Sequence, residues 1–215
     1  TDLPPLAIAT GTEVRARDGT LLRAFTVADG RWRLDPGSVD AGFRDMLIAY
    51  EDRRFRAHNG VDLIAFARAG AQALWNGRVV SGGSTLTMQV ARLLENSGTG
   101  RLAGKIRQIR VALALERRLT KDQILGLYLR LAPYGGKVEG IRAASLTWFG
   151  KESRRLTPAE AALLVALPQS PETRRPDRFP KAAEAARNRV LARMVRSHQF
   201  ERLRVEIGLA VERAA

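Results

Sequence analysis

The sequence predicts a mainly α-helical domain preceded by a short β-hairpin. The hairpin is indicated by residues 14–25, where two runs of alternating apolar and polar residues flank an Asp-Gly turn. Helical signals dominate after residue 36, and the clearest helix start lies at residues 157–160. The chain has 215 residues, which is enough for one sizeable core with a small appendage.

The N-terminal segment, residues 1–34, is predicted to be a small β-rich stalk or linker. Asp18-Gly19 forms the first turn, and a second Asp-Gly turn at residues 29–30 leads to Trp32. Both turns are followed by short runs rich in β-formers. A hairpin of this size needs packing against another element to be stable.

Residues 35–200 are predicted to form the helical domain. Thr157-Pro158-Ala159-Glu160 combines an N-cap, a first-turn proline and a capping-box glutamate. Four prolines between residues 168 and 180 predict an irregular connection before a last helix from Lys181 to about Arg196. Residues 201–215 are predicted to form a helical extension toward a further domain.

Charge and composition narrow the class of partner. The net charge is +14, from 36 basic and 22 acidic residues, and therefore predicts anionic partners. Nucleic acid is disfavoured because the cations run through the whole chain and aromatic residues make up only 6%. An anionic bilayer surface or a phosphorylated substrate accounts for the positive net charge as well as nucleic acid does. The absence of cysteine excludes a disulfide framework.

The first candidate site lies where the apolar run 46–50 meets Glu51 and Asp52. A carboxylate at the junction of an apolar helix and a polar loop can be partly desolvated, which favours proton uptake and general-base chemistry. The alternative is an ordinary helix end with solvated charges. The residues that follow favour the functional interpretation.

A glycine-hydroxyl turn at residues 82–85 then opens a predicted helix. Glycines allow close backbone approach to a ligand, and a helix start offers amide donors to anions. The Gly-Lys-Ser/Thr ending of a nucleotide-binding loop is absent. A base, such a turn and a basic row are together typical of transfer from a phosphorylated donor. The row consists of Arg92, Arg101, Lys105, Arg107 and Arg110.

Five linked segments resemble the motifs of the peptidoglycan glycosyltransferases, glycosyltransferase family 51, most closely in their 1C type of class A penicillin-binding protein. The resemblance covers roughly residues 34–194 in the family's order. The segments are Glu51-Asp52-x-x-Phe55-x-x-His58-x-Gly60, Gly82-Gly83-Ser84-Thr85-Leu86-Thr87-x-Gln89, Lys105-Ile106-Arg107-Gln108 with Leu115-Glu116, Lys121-x-x-Ile124-Leu125-x-x-Tyr128, and Arg187-x-x-Val190-Leu191-x-x-Met194.

The resemblance implies a lysozyme-like, two-lobed helical domain that polymerises lipid II into β-1,4-linked glycan strands with inversion and release of polyprenyl pyrophosphate. Glu51 is then the catalytic base. The implied supporting residues are Asp52, His58 and Gln108. The implied substrate-binding residues are Phe55, Ser84, Thr85, Gln89, Arg92, Arg101, Lys105 and Arg107.

This chain departs from the family at several positions, including Gln108, where a second glutamate is usual, and Arg130, where asparagine is usual. Pyrophosphate leaves as a stable anion that needs charge neutralisation, not a proton, so one base can suffice. A glycosidase would need an acid as well. Two alternatives stay open, a lysozyme-like peptidoglycan hydrolase and a catalytically weak lipid II-binding scaffold of a cell-wall synthesis complex.

The implied partners are lipid II, the nascent strand, the membrane surface and other cell-wall synthesis proteins, on the periplasmic side of a bacterial inner membrane. A membrane anchor is expected upstream of Thr1 and a transpeptidase domain after Ala215.

No cofactor is expected, although a divalent cation accompanying the pyrophosphate, bound by Asp52, is left open. A zinc site is disfavoured because His58 has no second ligand at suitable spacing. Residues 61–75 predict either a buried helix or a lobe at the bilayer interface.

Overall fold

The structure is a computed structural model that describes residues 3–67, 84–95 and 102–197. This part of the chain is mainly α-helical with two small two-stranded sheets, as predicted. The strands are β1 (Glu13–Arg15), β2 (Leu21–Ala24), β3 (Trp32–Arg33) and β4 (Val138–Glu139). The helices are α1 (Ala41–Glu51), α2 (Leu86–Glu95), α3 (Leu102–Glu116), α4 (Lys121–Leu131), α5 (Ile141–Phe149), α6 (Pro158–Ala166) and α7 (Pro180–Arg196).

The chain forms two compact units that are not contiguous in sequence. Unit 1 comprises Thr1–Ala9 and Glu51–Leu131, and unit 2 comprises Thr10–Tyr50 and Ala132–Ala215. The predicted division at residues 34 and 200 stays a prediction. The C-terminal extension predicted for residues 201–215 lies outside the described residues.

Unit 2 contains both sheets. Strands β1 and β2 pair antiparallel around a turn in which Gly19 has a φ of 87°, which confirms the predicted hairpin. Strands β3 and β4 pair parallel, with Trp32 opposite Val138. Helical signals dominate the sequence after residue 36, and they did not predict β4. Such a short strand has no hydrophobic period of its own, and its pairing joins residues more than a hundred positions apart.

A buried arginine ties the hairpin to the helices of unit 2. Arg142 of α5 donates to Glu13 of β1 at 2.6 and 3.1 Å and to Glu152 at 2.6 and 2.8 Å. The hydrogen bonds from Arg142 lower the pKa of both glutamates, although burial opposes the shift. The residues predicted to be a stalk therefore pack into unit 2.

The predicted capping box at the start of α6 is confirmed. The Thr157 hydroxyl accepts from the Glu160 amide at 3.3 Å, and the Glu160 carboxylate accepts from the Thr157 amide at 2.7 Å. Helix α6 packs against α7, where Ala186 and Val190 are buried. The last helix matches its predicted range within one residue.

In unit 1, helix α2 packs against both α3 and α4. Its buried face carries Met88 and Ala91, and α3 contributes Val111 and Leu115 to the core. The loop that follows Glu51 also approaches α3. Gly60 has a φ of 91°, and a Cβ atom at this position would lie 3.0 Å from the Ala112 carbonyl oxygen. Only glycine fits this contact without strain.

Residues 63–67 are helical, and the apolar side chains of Leu63 and Ile64 are 76% and 60% exposed. This exposure disagrees with an ordinary buried helix at these two positions. The rest of the segment that ends at Trp75 lies outside the described residues. Within the described ranges, every helix is too short or too polar to traverse a bilayer.

Candidate active site

Glu51 is the last residue of α1 and the first residue of the longer segment of unit 1, Glu51–Leu131. Its Oε2 accepts a hydrogen bond from Nε2 of Gln89 on α2, at 3.0 Å. The carboxylate is partly exposed. The structure thus joins the predicted base to one of the predicted substrate-binding residues and leaves the carboxylate within reach of solvent.

Asp52 is buried, and its carboxylate connects the loop to the start of α2. Its Oδ2 accepts from the backbone amide of Leu86 at 2.9 Å, which satisfies one of the amides at the helix N-terminus. Nε2 of His58 lies 2.9 and 3.0 Å from the two carboxylate oxygens. The Gly60 amide donates to Nδ1 of His58 at 3.1 Å, so Nδ1 acts as an acceptor and carries no hydrogen. The ring hydrogen is therefore on Nε2, which donates it to Asp52.

Thr85 is a predicted substrate-binding residue, and the structure places it at the start of α2. Its side chain is buried, and its hydroxyl donates to the Gly60 carbonyl at 2.6 Å. The same hydroxyl accepts from the Met88 amide at 3.1 Å, which makes Thr85 the N-cap of α2. The amides of Leu86 and Met88 are therefore already paired within the protein instead of being open to an anion.

Phe55 is another predicted substrate-binding residue, and its described contacts are with other residues of unit 1. The side chain is completely buried. Its ring meets the His58 ring edge to face, with centroids 6.3 Å apart. Nζ of Lys121 lies 4.7 Å from the Phe55 centroid, within cation–π range. Phe55 anchors the loop in the core of unit 1.

Lys105 and Ser84 come together beside α2. Nζ of Lys105 donates to Oγ of Ser84 at 2.9 Å. Burial lowers the pKa of Lys105, and the positive charge of Arg92 on α2 lowers it further. Burial and mutual repulsion both disfavour the charged forms of these two side chains. A phosphate group bound beside them would compensate for both, because its negative charge pairs with the two cations.

The remaining predicted site residues differ in their burial and in their contacts. Arg107 donates from Nε to Glu95 at 2.8 Å, and its side chain is 70% exposed. Gln108 lies on α3 and is buried. Arg101 lies outside the described residues.

Two residues that the sequence did not place in the site join this network. The carboxylate of Glu116, at the end of α3, accepts from the Thr87 hydroxyl and from Nζ of Lys121, both at 2.6 Å. Nζ of Lys121 also donates to the His58 carbonyl at 2.5 Å. Both residues lie in segments that resemble family motifs, but the resemblance assigned neither of them a role in the site.

Metal binding finds no support in the described part of the chain, where no three acidic, histidine or cysteine side chains are grouped closely enough to hold an ion. The carboxylate of Asp52, the candidate ligand for a divalent cation, is already engaged by His58 and the Leu86 amide. The arrangement offers an oriented carboxylate at Glu51 and a cationic position at Lys105. These are the requirements for deprotonating a hydroxyl and receiving an anionic leaving group.

Comparison with known proteins places the chain in a family. Residues 18–195 match the transglycosylase family. Penicillin-binding protein 1C of Escherichia coli K12 is 53% identical over 183 residues, which is 84% of this chain and 24% of that protein. Penicillin-binding protein 1A of Pseudomonas aeruginosa is 36% identical over 187 residues, covering 86% of this chain and 22% of that protein.

The chain therefore spans about a quarter of the length of these relatives. A crystal structure of penicillin-binding protein 1A from Haemophilus influenzae covers 94% of this chain, and 20% of that chain is matched. Its sequence is 20% identical, and the TM-score of 0.45 is too low to support an argument about the fold. On the family match and the relatives in sequence, the chain belongs to the transglycosylase family, the peptidoglycan glycosyltransferase domain of penicillin-binding proteins.

Proposed function

We propose that this domain polymerises lipid II into β-1,4-linked glycan strands, with Glu51 as the single general base. The observation that carries the proposal is the hydrogen bond from Gln89 that orients the partly exposed Glu51 carboxylate. Lys105, with Arg92 close enough to lower its pKa, supplies a cationic position in the same compact unit. Peptidoglycan glycosyltransferase activity follows from family membership. The residue roles are the proposal.

In the proposed step, Glu51 takes the proton of the 4-hydroxyl group of the acceptor sugar. The hydroxyl oxygen forms a bond to C1 of the donor sugar from the face opposite the pyrophosphate. The bond between C1 and the pyrophosphate oxygen breaks, and its electron pair stays on the leaving group. Lys105 and Arg92 stabilise that charge, and the proton on Glu51 is released to solvent. The α-linked donor thus becomes a β-1,4 product.

The one-base mechanism does not require a carboxylate at position 108. Protonated leaving groups are needed when an alkoxide departs, as in glycoside hydrolysis. A pyrophosphate is a stable anion and needs only charge neutralisation and hydrogen bonds. Gln108 is therefore compatible with transfer, and neither the hydrolase nor the scaffold alternative is favoured by an observation on this chain.

We also propose that the domain works at the membrane surface on the periplasmic side, where its lipid-linked substrate resides. The net charge of +14 suits an anionic bilayer. The exposed apolar side chains of Leu63 and Ile64 suit insertion at the boundary between headgroups and acyl chains. Other cell-wall synthesis proteins are further proposed partners.

The test is a comparison of Glu51→Gln with the unchanged chain on purified lipid II. The substitution keeps the shape of the side chain and removes the base, so polymerisation is expected to fall by about 10²-fold or more. Glu184→Gln on α7 is the matched control, because Glu184 is 61% exposed and its carboxylate pairs with Arg187 on the same helix. Long glycan strands and released polyprenyl pyrophosphate are the readouts. Turnover of Glu51→Gln close to that of Glu184→Gln would remove Glu51 from the role of base.

A further inference from the structure

We infer that Lys121 is a positioning residue for the transfer reaction: together with Glu116, it fixes the loop of residues 52–60 that adjoins Glu51. The inference rests on the proposed function of Glu51. Lys121 reaches neither Glu51 nor any group that we assign to substrate binding, so it acts through the loop and not on the reacting atoms.

Among the described residues, the Lys121 ammonium group contacts the loop and Glu116. Nζ donates to the His58 carbonyl at 2.5 Å and to Oε1 of Glu116 at 2.6 Å. It also lies 4.7 Å from the ring centroid of Phe55. The side chain is only 19% exposed. One cation therefore holds two points of the loop, a carbonyl and a buried ring, three residues apart.

The formation of helix α4 does not account for a lysine at this position. Lys121 is the first residue of α4, where the helix dipole disfavours a cation. The helix start is already secured by its neighbours, since the Thr120 amide donates to Gln123 at 2.8 Å and the Gln123 amide donates to the Thr120 hydroxyl at 3.3 Å. The presence of a lysine at this position is therefore explained by its contacts outside the helix, with the loop and with Glu116.

Glu116 extends the link from the loop to α2. Its Oε1 accepts from Lys121 and also from the hydroxyl of Thr87, which is completely buried on α2. Helix α2 is the element that carries Gln89, the partner of the Glu51 carboxylate. Lys121 and Glu116 thus connect two elements next to Glu51. One is the loop that directly follows Glu51, and the other is helix α2, whose Gln89 donates to the Glu51 carboxylate.

Loss of Lys121 would loosen the loop without detaching it. The loop would keep the bond between His58 and Asp52 and the bond from Thr85 to the Gly60 carbonyl. It would lose its hold at the His58 carbonyl and at the Phe55 ring. A displacement of about 1 Å near reacting groups can cost about 10²-fold in rate. Donor binding through Lys105 is expected to persist, because the bond of Lys105 to Ser84 involves neither the loop nor Lys121.

The test is Lys121→Met, which keeps the apolar stem and removes the donors. Its matched control is Leu125→Ala, a buried change on the same helix that lowers stability and leaves the bond from Lys121 to the His58 carbonyl in place. We expect Lys121→Met to lower kcat for lipid II polymerisation by about 10-fold to 100-fold while KM and the affinity for a phosphoglycolipid inhibitor change by less than about threefold. Amide hydrogen exchange in residues 55–60 should become at least about tenfold faster in Lys121→Met and not in Leu125→Ala.

A kcat of Lys121→Met within about twofold of the unchanged chain, or lowered only as much as in Leu125→Ala, would overturn the inference. So would a rise in KM with kcat unchanged. If Lys121→Met does not fold, Glu116→Gln decides, because it keeps the shape and weakens the charge-assisted bond to Lys121. Its kcat should fall about 3-fold to 10-fold, and an unchanged kcat overturns the inference. If the unchanged chain makes no glycan from lipid II, the proposed function fails instead, which separates the two failures.

Discussion

Asp52 offers a sharp test of how the loop and α2 are held together, through the substitution Asp52→Asn. The carboxylate accepts from two donors, Nε2 of His58 and the amide of Leu86. An asparagine has one accepting oxygen, and its NH2 group must face one of these donors. The His58 ring cannot relieve the conflict by moving its hydrogen to Nδ1, because the Gly60 amide already donates to that atom.

The magnitude follows from the contacts that are lost. The side chains of Asp52 and His58 are both only 4% exposed. Even with the asparagine oxygen in the position of Oδ2, which faces both donors, the NH2 group would lie against the N–H of His58 Nε2 in a buried position, and the charge of the acceptor would be lost. A hydrogen bond to a charged group contributes about 1.5–3 kcal/mol. A negative charge at a helix N-terminus adds about 0.3–1 kcal/mol. We therefore expect Asp52→Asn to lower the free energy of unfolding by about 2–4 kcal/mol.

Thermal unfolding measures this effect. For a chain of this size the loss corresponds to a fall in Tm of about 4–16 °C, at about 2–4 °C for each kcal/mol. Asp122→Asn is the matched control, because the Asp122 carboxylate also pairs with a cation, Arg56, at 3.0 Å but is 78% exposed. An exposed pair contributes about 0–1 kcal/mol. If the two asparagine variants unfold within about 2 °C of each other, the buried network does not hold the loop to α2 as we describe.

Three further substitutions test the cationic position and the one-base mechanism. Lys105→Met should weaken binding of a phosphoglycolipid inhibitor by about 10-fold to 100-fold, whereas Arg107→Gln should weaken it by less than about threefold, because Arg107 is exposed and paired with Glu95. Equal losses in a binding titration would show that the two cations are not distinguished by their burial. Gln108→Glu should raise turnover by less than about twofold, because a pyrophosphate leaves without protonation. A gain of about tenfold or more in lipid II polymerisation would contradict the one-base mechanism.

The parts of the fold that the sequence predicted are those determined by local contacts. The capping box of Thr157 and Glu160 joins residues three apart, and the hairpin turn at Gly19 depends on a single backbone conformation. Both leave a signature within a few residues. The range of α7 was predicted for the same reason, since a proline at its start and a continuous helical period mark its limits.

The parts that the sequence did not predict depend on contacts between distant segments. The bond from Leu86 to Asp52 spans 34 positions, and that from Lys121 to the His58 carbonyl spans 63. No periodic pattern encodes which of several polar side chains will meet across such distances. Phe55 is a similar case, because an aromatic residue in a loop is compatible with both ligand contact and core packing until its burial is known.

These outcomes divide the residues that resemble family motifs into two physical groups. Phe55, His58 and Thr85 are buried, and each of their described contacts is made with another part of unit 1. Glu51 and Lys105 are only partly buried, and each forms a hydrogen bond with a neutral side chain, that of Gln89 and that of Ser84 respectively. A family motif therefore contains both the reacting groups and the buried residues that hold them in position, which we call frame residues. The spacing of the motif alone does not separate the two groups. Because a frame residue acts through position, its replacement should change kcat and loop dynamics together, whereas replacement of Glu51 should change kcat with the loop unaltered.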